Sequence, residues 1–204
     1  MKLVSTILIL FITVLVNFAG TSQNDIDTTN WLKTTCLTAE FSIKYPPSFY
    51  VQNECGHFYK LSNGVKKIPL SYMSKKYFKG RDYLMSKDAS TYKEWIEYRA
   101  RIMFSADGPS SSIYGDSIAK NITFINSNGV AGNELYVHVS HSEYKNGEHI
   151  ITSTIKGPVF VFKRNQDIDN DEPTIFFHLQ DDECDKDDER LIRQMIDTFK
   201  FINK

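Results

Sequence analysis

Only three of the 204 residues are cysteines, Cys36, Cys55 and Cys184, and none forms a C-x-x-C pair. Dithiol exchange chemistry therefore lacks its reacting pair. In an oxidising compartment three cysteines allow one disulfide with one thiol left over, and the sequence leaves the pairing open. A thiol nucleophile needs an activating base beside it, so a structural role is the simpler reading. Neither sign of charge dominates: 24 Lys and Arg stand against 25 Asp and Glu, a formal net charge of −1. Such a balance excludes wholesale nucleic-acid binding. There is no G-x-S-x-G, no Walker loop and no dinucleotide glycine pattern. Hydrolase and nucleotide-binding readings thus lack their motifs. No apolar run reaches the roughly 20 residues that a helical bilayer span needs.

What is present begins with an N-terminal signature. Lys2 precedes a short apolar run from Leu3 to Val16, and Ala19-Gly20 offers small residues for cleavage. Residues 1–20 read as a signal peptide, with an uncleaved anchor as the alternative. Thr21 stands where a lipoprotein would carry its cysteine, so a secreted or periplasmic, non-lipidated chain is expected. Residues 21–35 read as a leader, with order beginning near Trp31, and residues 36–204 as a single domain. Hydrophobic content of 41% and aromatic content of 13% suffice for a real core.

The organising stretch is Gly129–Gly157, in which two strand-like runs flank Tyr144-Lys145-Asn146-Gly147-Glu148. A two-residue Asn-Gly turn would set Val137 opposite Lys156 and Val139 opposite Thr154, mixing apolar and polar residues on each face. A three-residue loop with Gly147 as a bulge segregates the faces instead. It pairs Val137 with Ile155, Val139 with Ser153 and His141 with Ile151. The other face then pairs Tyr136 with Lys156, His138 with Thr154 and Ser140 with Thr152. Because a one-residue slip flips a whole strand, the segregating register is the one expected.

Elsewhere, alternation marks strands at Glu40–Gln52, hinged by Pro46-Pro47, and one strand near Val65–Tyr72 between loops. Thr91 and Glu94 form a capping box ahead of a helical stripe of Tyr92, Trp95, Ile96, Arg99, Ile102 and Met103. Turn residues from Ala106 to Ser112 end that helix, with Ser110–Ser112 read as an exposed loop. A strand at Ile122–Ile125 leads into the hairpin. Pro158–Lys163 and Thr174–Gln180 are apolar on both faces, as central strands are. A last helix from about Asp187 presents Leu191, Ile192, Met195, Ile196 and Phe199 on one side, with acids in its first turn. The predicted class is α+β: an antiparallel sheet flanked by helices.

Two segments bear a family likeness. F-S-I-K-Y-P-P-S-F-Y-V, residues 41–51, resembles the opening of PsbP-like domains, although Phe49 stands where the family usually has tryptophan. I-D-T-F-K-F, residues 196–201, resembles their close. The resemblance spans residues 37–203. It implies an α/β/α PsbP-like sandwich and a protein that binds and stabilises partners without catalysis, since the family includes an extrinsic photosystem subunit and a nuclear-import factor. It implies no cofactor and supplies no catalytic residues.

Three constellations invite chemistry. His138 and His141 point to opposite faces if they lie in a strand, so one ion cannot take both. Glu134, Tyr136 and His138 share a face and His178 approaches from another strand, which defines a possible metal set of Glu134, His138 and His178. Asp167–Glu172 opens like a calcium loop but has Glu172 at the glycine place and His178 at the closing glutamate place, excluding an EF-hand. Asn121-Ile122-Thr123 has the form of a glycosylation acceptor.

The charge distribution is a further feature. Residues 57–81 contain no acid, whereas acids crowd residues 167–189. Two solvated edges that attract each other form the bland reading. In the sharper one, Lys66, Lys67, Tyr72, Lys75, Lys76, Tyr77, Phe78, Lys79 and Arg81 make a docking surface for an anionic partner: an acidic protein, glycan or headgroup. The expected function is a non-catalytic binding or accessory protein using that surface. The alternative is a metal-dependent enzyme or small-ligand carrier using the polar sheet face. The sequence does not give the oligomeric state.

Overall fold

The computed structural model describes residues 27–52, 56–62, 64–73, 91–107, 111–164, 173–179 and 185–202. The first strands are β1 (Leu32–Cys36), β2 (Phe41–Tyr45), β3 (Phe49–Gln52), β4 (His57–Ser62) and β5 (Gly64–Met73). Helix α1 (Tyr92–Met103) follows, then β6 (Ala106–Asp107), β7 (Ser111–Ile125), β8 (Ala131–Lys145), β9 (Glu148–Lys163) and β10 (Thr174–His178). Helix α2 (Lys186–Asp197) and β11 (Lys200–Phe201) close the chain. Among the described residues, antiparallel sheet with two helices makes this an α+β fold.

The strands form two sheets. A small one has the order β1-β2-β11 and a large one the order β3-β4-β5-β10-β9-β8-β7-β6. Pro46-Pro47 carries the chain from the first to the second, with the Phe49 amide donating to the Pro46 carbonyl at 2.9 Å. As expected, Thr91 caps α1 in a reciprocal box with Glu94. At α2 the capping acid is Asp185, whose side chain takes the Asp188 amide.

Strand β10 and the second half of β9, residues 159–163, are buried on both faces, and their alternation separates two cores. Val159, Val161 and Phe176 join Leu135, Val137 and Val139 beneath Trp95, Ile96 and Ala100 of α1. Phe160, Phe162, Ile175 and Phe177 turn the other way, toward Ile192, Met195 and Ile196 of α2 and Phe41 and Ile43 of the small sheet. Phe199 is the hub of that second core: it stacks on Phe162 at 4.2 Å and on Phe41 at 5.4 Å. The helices therefore cover opposite faces of the large sheet, and the small sheet shares the α2 side.

The three-residue loop is not formed. Asn146 and Gly147 both take positive φ, 54° and 86°, and Lys145 pairs with Glu148. Val137 thus faces Lys156 and Val139 faces Thr154; His138 takes Ile155, Ser140 takes Ser153 and His141 takes Thr152. Face segregation was the wrong criterion because the outer half of β8–β9 projects beyond the helices. Where neither face is buried, the turn residues decide the register. A bulge between Leu135 and Val137 then resets it, so that Leu135 meets Val159 and Glu134 meets Phe160. Gly157 sits at this irregularity with φ 142°, and a Cβ there would lie 2.9 Å from the Leu135 carbonyl oxygen.

Two further expectations change. Strand β4 occupies residues read as loop, and β7 begins at Ser111, eleven residues before the expected Ile122, so Ser111 and Ser112 are strand rather than loop. Both strands mix polar with apolar residues, and pairing with β5 and β8 overrides their weak local signal.

Candidate functional site

Strand β4 sends Lys60 and strand β5 sends Lys66 to one carboxylate, Asp188 in the first turn of α2. Lys60 Nζ stands 2.6 Å from Asp188 Oδ1, and Lys66 Nζ takes the other oxygen. Asp188 is almost fully buried. Burial pushes its carboxyl up, but hydrogen bonds and charge from both lysines outweigh that and hold it below the usual range. Basic and acidic segments do meet, and they meet inside. Lys66, expected on a docking surface, is a structural ion-pair partner. We expect Asp188→Asn to lower stability by about 2 kcal/mol in urea unfolding, since two part-buried ammoniums lose their counter-charge.

Lys67 is placed differently. It is exposed, with Nζ 5.5 Å from the centroid of Tyr59, whose ring stacks on Tyr50 at 5.1 Å. The backbone of Tyr72 lies in β5 opposite Ile175. Lys75, Lys76, Tyr77, Phe78, Lys79 and Arg81 lie outside the described residues, as does the acidic stretch 167–172.

The possible metal set is not brought together. Glu134 faces α2, where Arg193 grips it with two bonds of 2.7 Å each. Tyr136 donates to the same carboxylate at 2.6 Å, and Arg193 also donates to Glu189 at 2.8 Å. Burial, then the hydrogen bond and charge of Glu134, push the Tyr136 phenol up to about 12. Burial pushes Glu134 up too, but Arg193 and Tyr136 prevail and keep it below the usual range. His138 lies farther out on that face, opposite Ile155. His178 shares the α1 face of β10 with Phe176, its ring edge-on to Phe104 at 4.4 Å. The sheet therefore separates His178 from Glu134. Among the described residues no group of three His, Cys, Asp or Glu side chains could hold a metal.

The feature that the sequence reading missed is the projecting arm built from β7, β8 and β9. Beyond the two cores it carries Tyr114 (47% exposed), Tyr144 (63%), Ile151 (63%) and Ile155 (57%). The registers Tyr114–Ser140, Tyr144–His149, Ser142–Ile151 and His138–Ile155 set all four on one face. On the other face, at the root of the arm, a groove of about 570 Å³ is lined by Phe104, Ile113, Val139, His141 and Thr154. Had the two-residue turn been adopted, the sequence would have shown isoleucines and tyrosines sharing a face with nothing left to cover them.

The architecture is first of all that of an α+β domain, mostly antiparallel sheet with two helices among the described residues. It is similar to the solution structure of cyanobacterial PsbP from Synechocystis, at 11% identity and a TM-score of 0.47 over 89% of this chain and 97% of that one. No protein-family model and no curated protein matches the sequence. Cys36 is disulfide-bonded. Among the described residues no helix is long and apolar enough to cross a membrane.

Proposed function

We propose that this protein acts by binding a protein partner, without catalysis, through the exposed face of the β7–β8–β9 arm. The observation that carries the reading is the coplanar set Tyr114, Tyr144, Ile151 and Ile155, solvent-exposed on a surface that no other described element covers. Exposed apolar surface of this kind marks interaction sites, and tyrosine favours them. Among the described residues the buried carboxylates already have structural work: Glu134 with Arg193, Asp188 with two lysines. The disulfide at Cys36 suits an oxidising compartment, in keeping with secretion or a periplasmic location. Lys67 and the basic stretch 75–81 add a second, anion-seeking contact to the same reading.

The test is cross-linking of the mature protein in its own envelope or medium, with partners quantified by mass spectrometry. Ile151→Ser with Ile155→Ser should reduce partner recovery at least about tenfold, the desolvation of two large apolar side chains being lost. The fold should be unchanged, because both residues lie outside the core. Undiminished recovery would overturn the arm as the contact surface.

A further inference from the structure

Strand β9 has two halves with different neighbours. Residues 159–162 pair with β8 on one side and β10 on the other, whereas residues 148–156 pair only with β8 among the described residues. Every residue from Glu148 to Ile155 is exposed. Natural sheets guard such an edge with proline, an inward charge or a bulge. The stretch E-H-I-I-T-S-T-I-K has none of these between its terminal charges, and it is rich in β-branched residues.

The tight turn fixes which backbone groups face outward. Lys145 and Glu148 flank a two-residue loop and so exchange hydrogen bonds with each other. Alternation along the ladder then gives the N–H and C=O of residues 150, 152 and 154 to β8. Those of His149, Ile151, Ser153 and Ile155 point to the open side.

We infer that this edge pairs with the same edge of a second copy of the chain, antiparallel about a two-fold axis at Thr152. The inference rests on reading the arm as a contact surface, and it names one occupant for it. In that register His149 meets Ile155 of the other copy and Ile151 meets Ser153, so outward groups bond outward groups. Glu148 then stands opposite Lys156 at both ends. Shifting the axis to Ile151 or Ser153 also matches outward groups but leaves Glu148 facing Thr154 or Pro158. Charge complementarity therefore selects the axis at Thr152. An isologous contact of this kind closes on itself as a dimer. It also unites the two Tyr114–Ile155 faces into one continuous apolar surface.

Sedimentation velocity of the mature, disulfide-bonded chain from low to high micromolar concentration should show a monomer–dimer equilibrium. Ser153→Pro removes an outward N–H without touching the β8 ladder and should weaken dimerisation at least about tenfold. Glu148→Lys should weaken it as well, and adding Lys156→Glu should restore it. Register is read by Thr152→Cys. Cα atoms in a directly opposed pair without hydrogen bonds lie about 4.5 Å apart, within disulfide range. Mass spectrometry should find a 152–152 cross-link, and Thr154→Cys should give no 154–154 link. A monomer at every concentration, or a dimer lacking the 152–152 link, overturns the inference, as does a different protein's strand on this edge. If the chain is monomeric while Ile151→Ser with Ile155→Ser still loses its partner, only self-pairing fails. If the dimer forms while that double variant keeps its partner, the arm-face reading fails instead.

Discussion

Between pH 6.5 and about 4 the protein should lose about 3 kcal/mol of stability through His178 alone. This histidine is 6% exposed, packed edge-on against Phe104, and its Nε2 has no hydrogen-bond partner among the described residues. Burial first, and the ammonium of Lys156 second, push its pKa down to about 4 from an ordinary 6.5. The unfolded chain therefore takes up a proton near pH 6.5 that the folded chain refuses until about 4. Stability is full above the higher value and falls steadily as pH drops to the lower. At about 1.4 kcal/mol per unit, the gap gives the figure above.

Urea unfolding at closely spaced pH values measures this directly. His178→Phe should remove the acid loss in that window while keeping a ring against Phe104. Lys156→Gln should soften it. Asp188 and Glu134 do not interfere above about pH 5, since both are held below their ordinary values of 3.8 and 4.5 and their contributions begin to be lost only as pH falls past those ordinary values. A wild-type acid limb that persists unchanged in His178→Phe would sink the assignment.

The grouping of His178 with Glu134 and His138 as an alternative metal set shows where the sequence is legible. T-I-F-F-H marks a central strand because it is apolar on both faces, and that placement holds. The same pattern shows that His178 is buried, yet it cannot show which helix covers it. Parity within one strand is local information, whereas parity between strands depends on register and bulges. Glu134 and His178 come from different strands, and only the pairings through β9 reveal that they face opposite ways. Helix α1 was readable to the residue because its capping box is a contact between near neighbours in sequence.

The hairpin failed for the converse reason. Its turn chemistry was visible in Asn146-Gly147, but the choice between registers assumed that one face was covered. How far β8 and β9 project past the helices is set by where α1 ends, at Met103, and by the length of β10. Neither length is written in residues 129–157. The salt bridges from Lys60 and Lys66 to Asp188 were legible as two opposite charge runs, though only the fold shows that they neutralise each other within the domain.

Arg193→Met should cost about 3 kcal/mol, the usual penalty when a buried carboxylate loses its counter-charge. Methionine preserves the contact that the guanidinium makes over the Phe160 ring, 5.5 Å to the centroid, so the loss reports charge rather than packing. Glu134 would be left with the Tyr136 hydroxyl as its remaining partner from this cluster. Replacing both members, Glu134→Leu with Arg193→Met, should recover most of the loss, to within about 1 kcal/mol of wild type, because an apolar pair needs no neutralising. The cycle thus measures the coupling itself. Its pH dependence separates charge from any incidental strain. In wild type Arg193 keeps Glu134 below its ordinary 4.5, so the pair stabilises above that value and weakens as pH falls. Without Arg193, burial dominates and the folded-state value rises, so protonation relieves the folded state first. The penalty of Arg193→Met should therefore shrink on going from pH 7 toward pH 5. A penalty that stays constant over that range, or a double variant as unstable as the single, would mean that the guanidinium holds the α2 face by shape and not by charge.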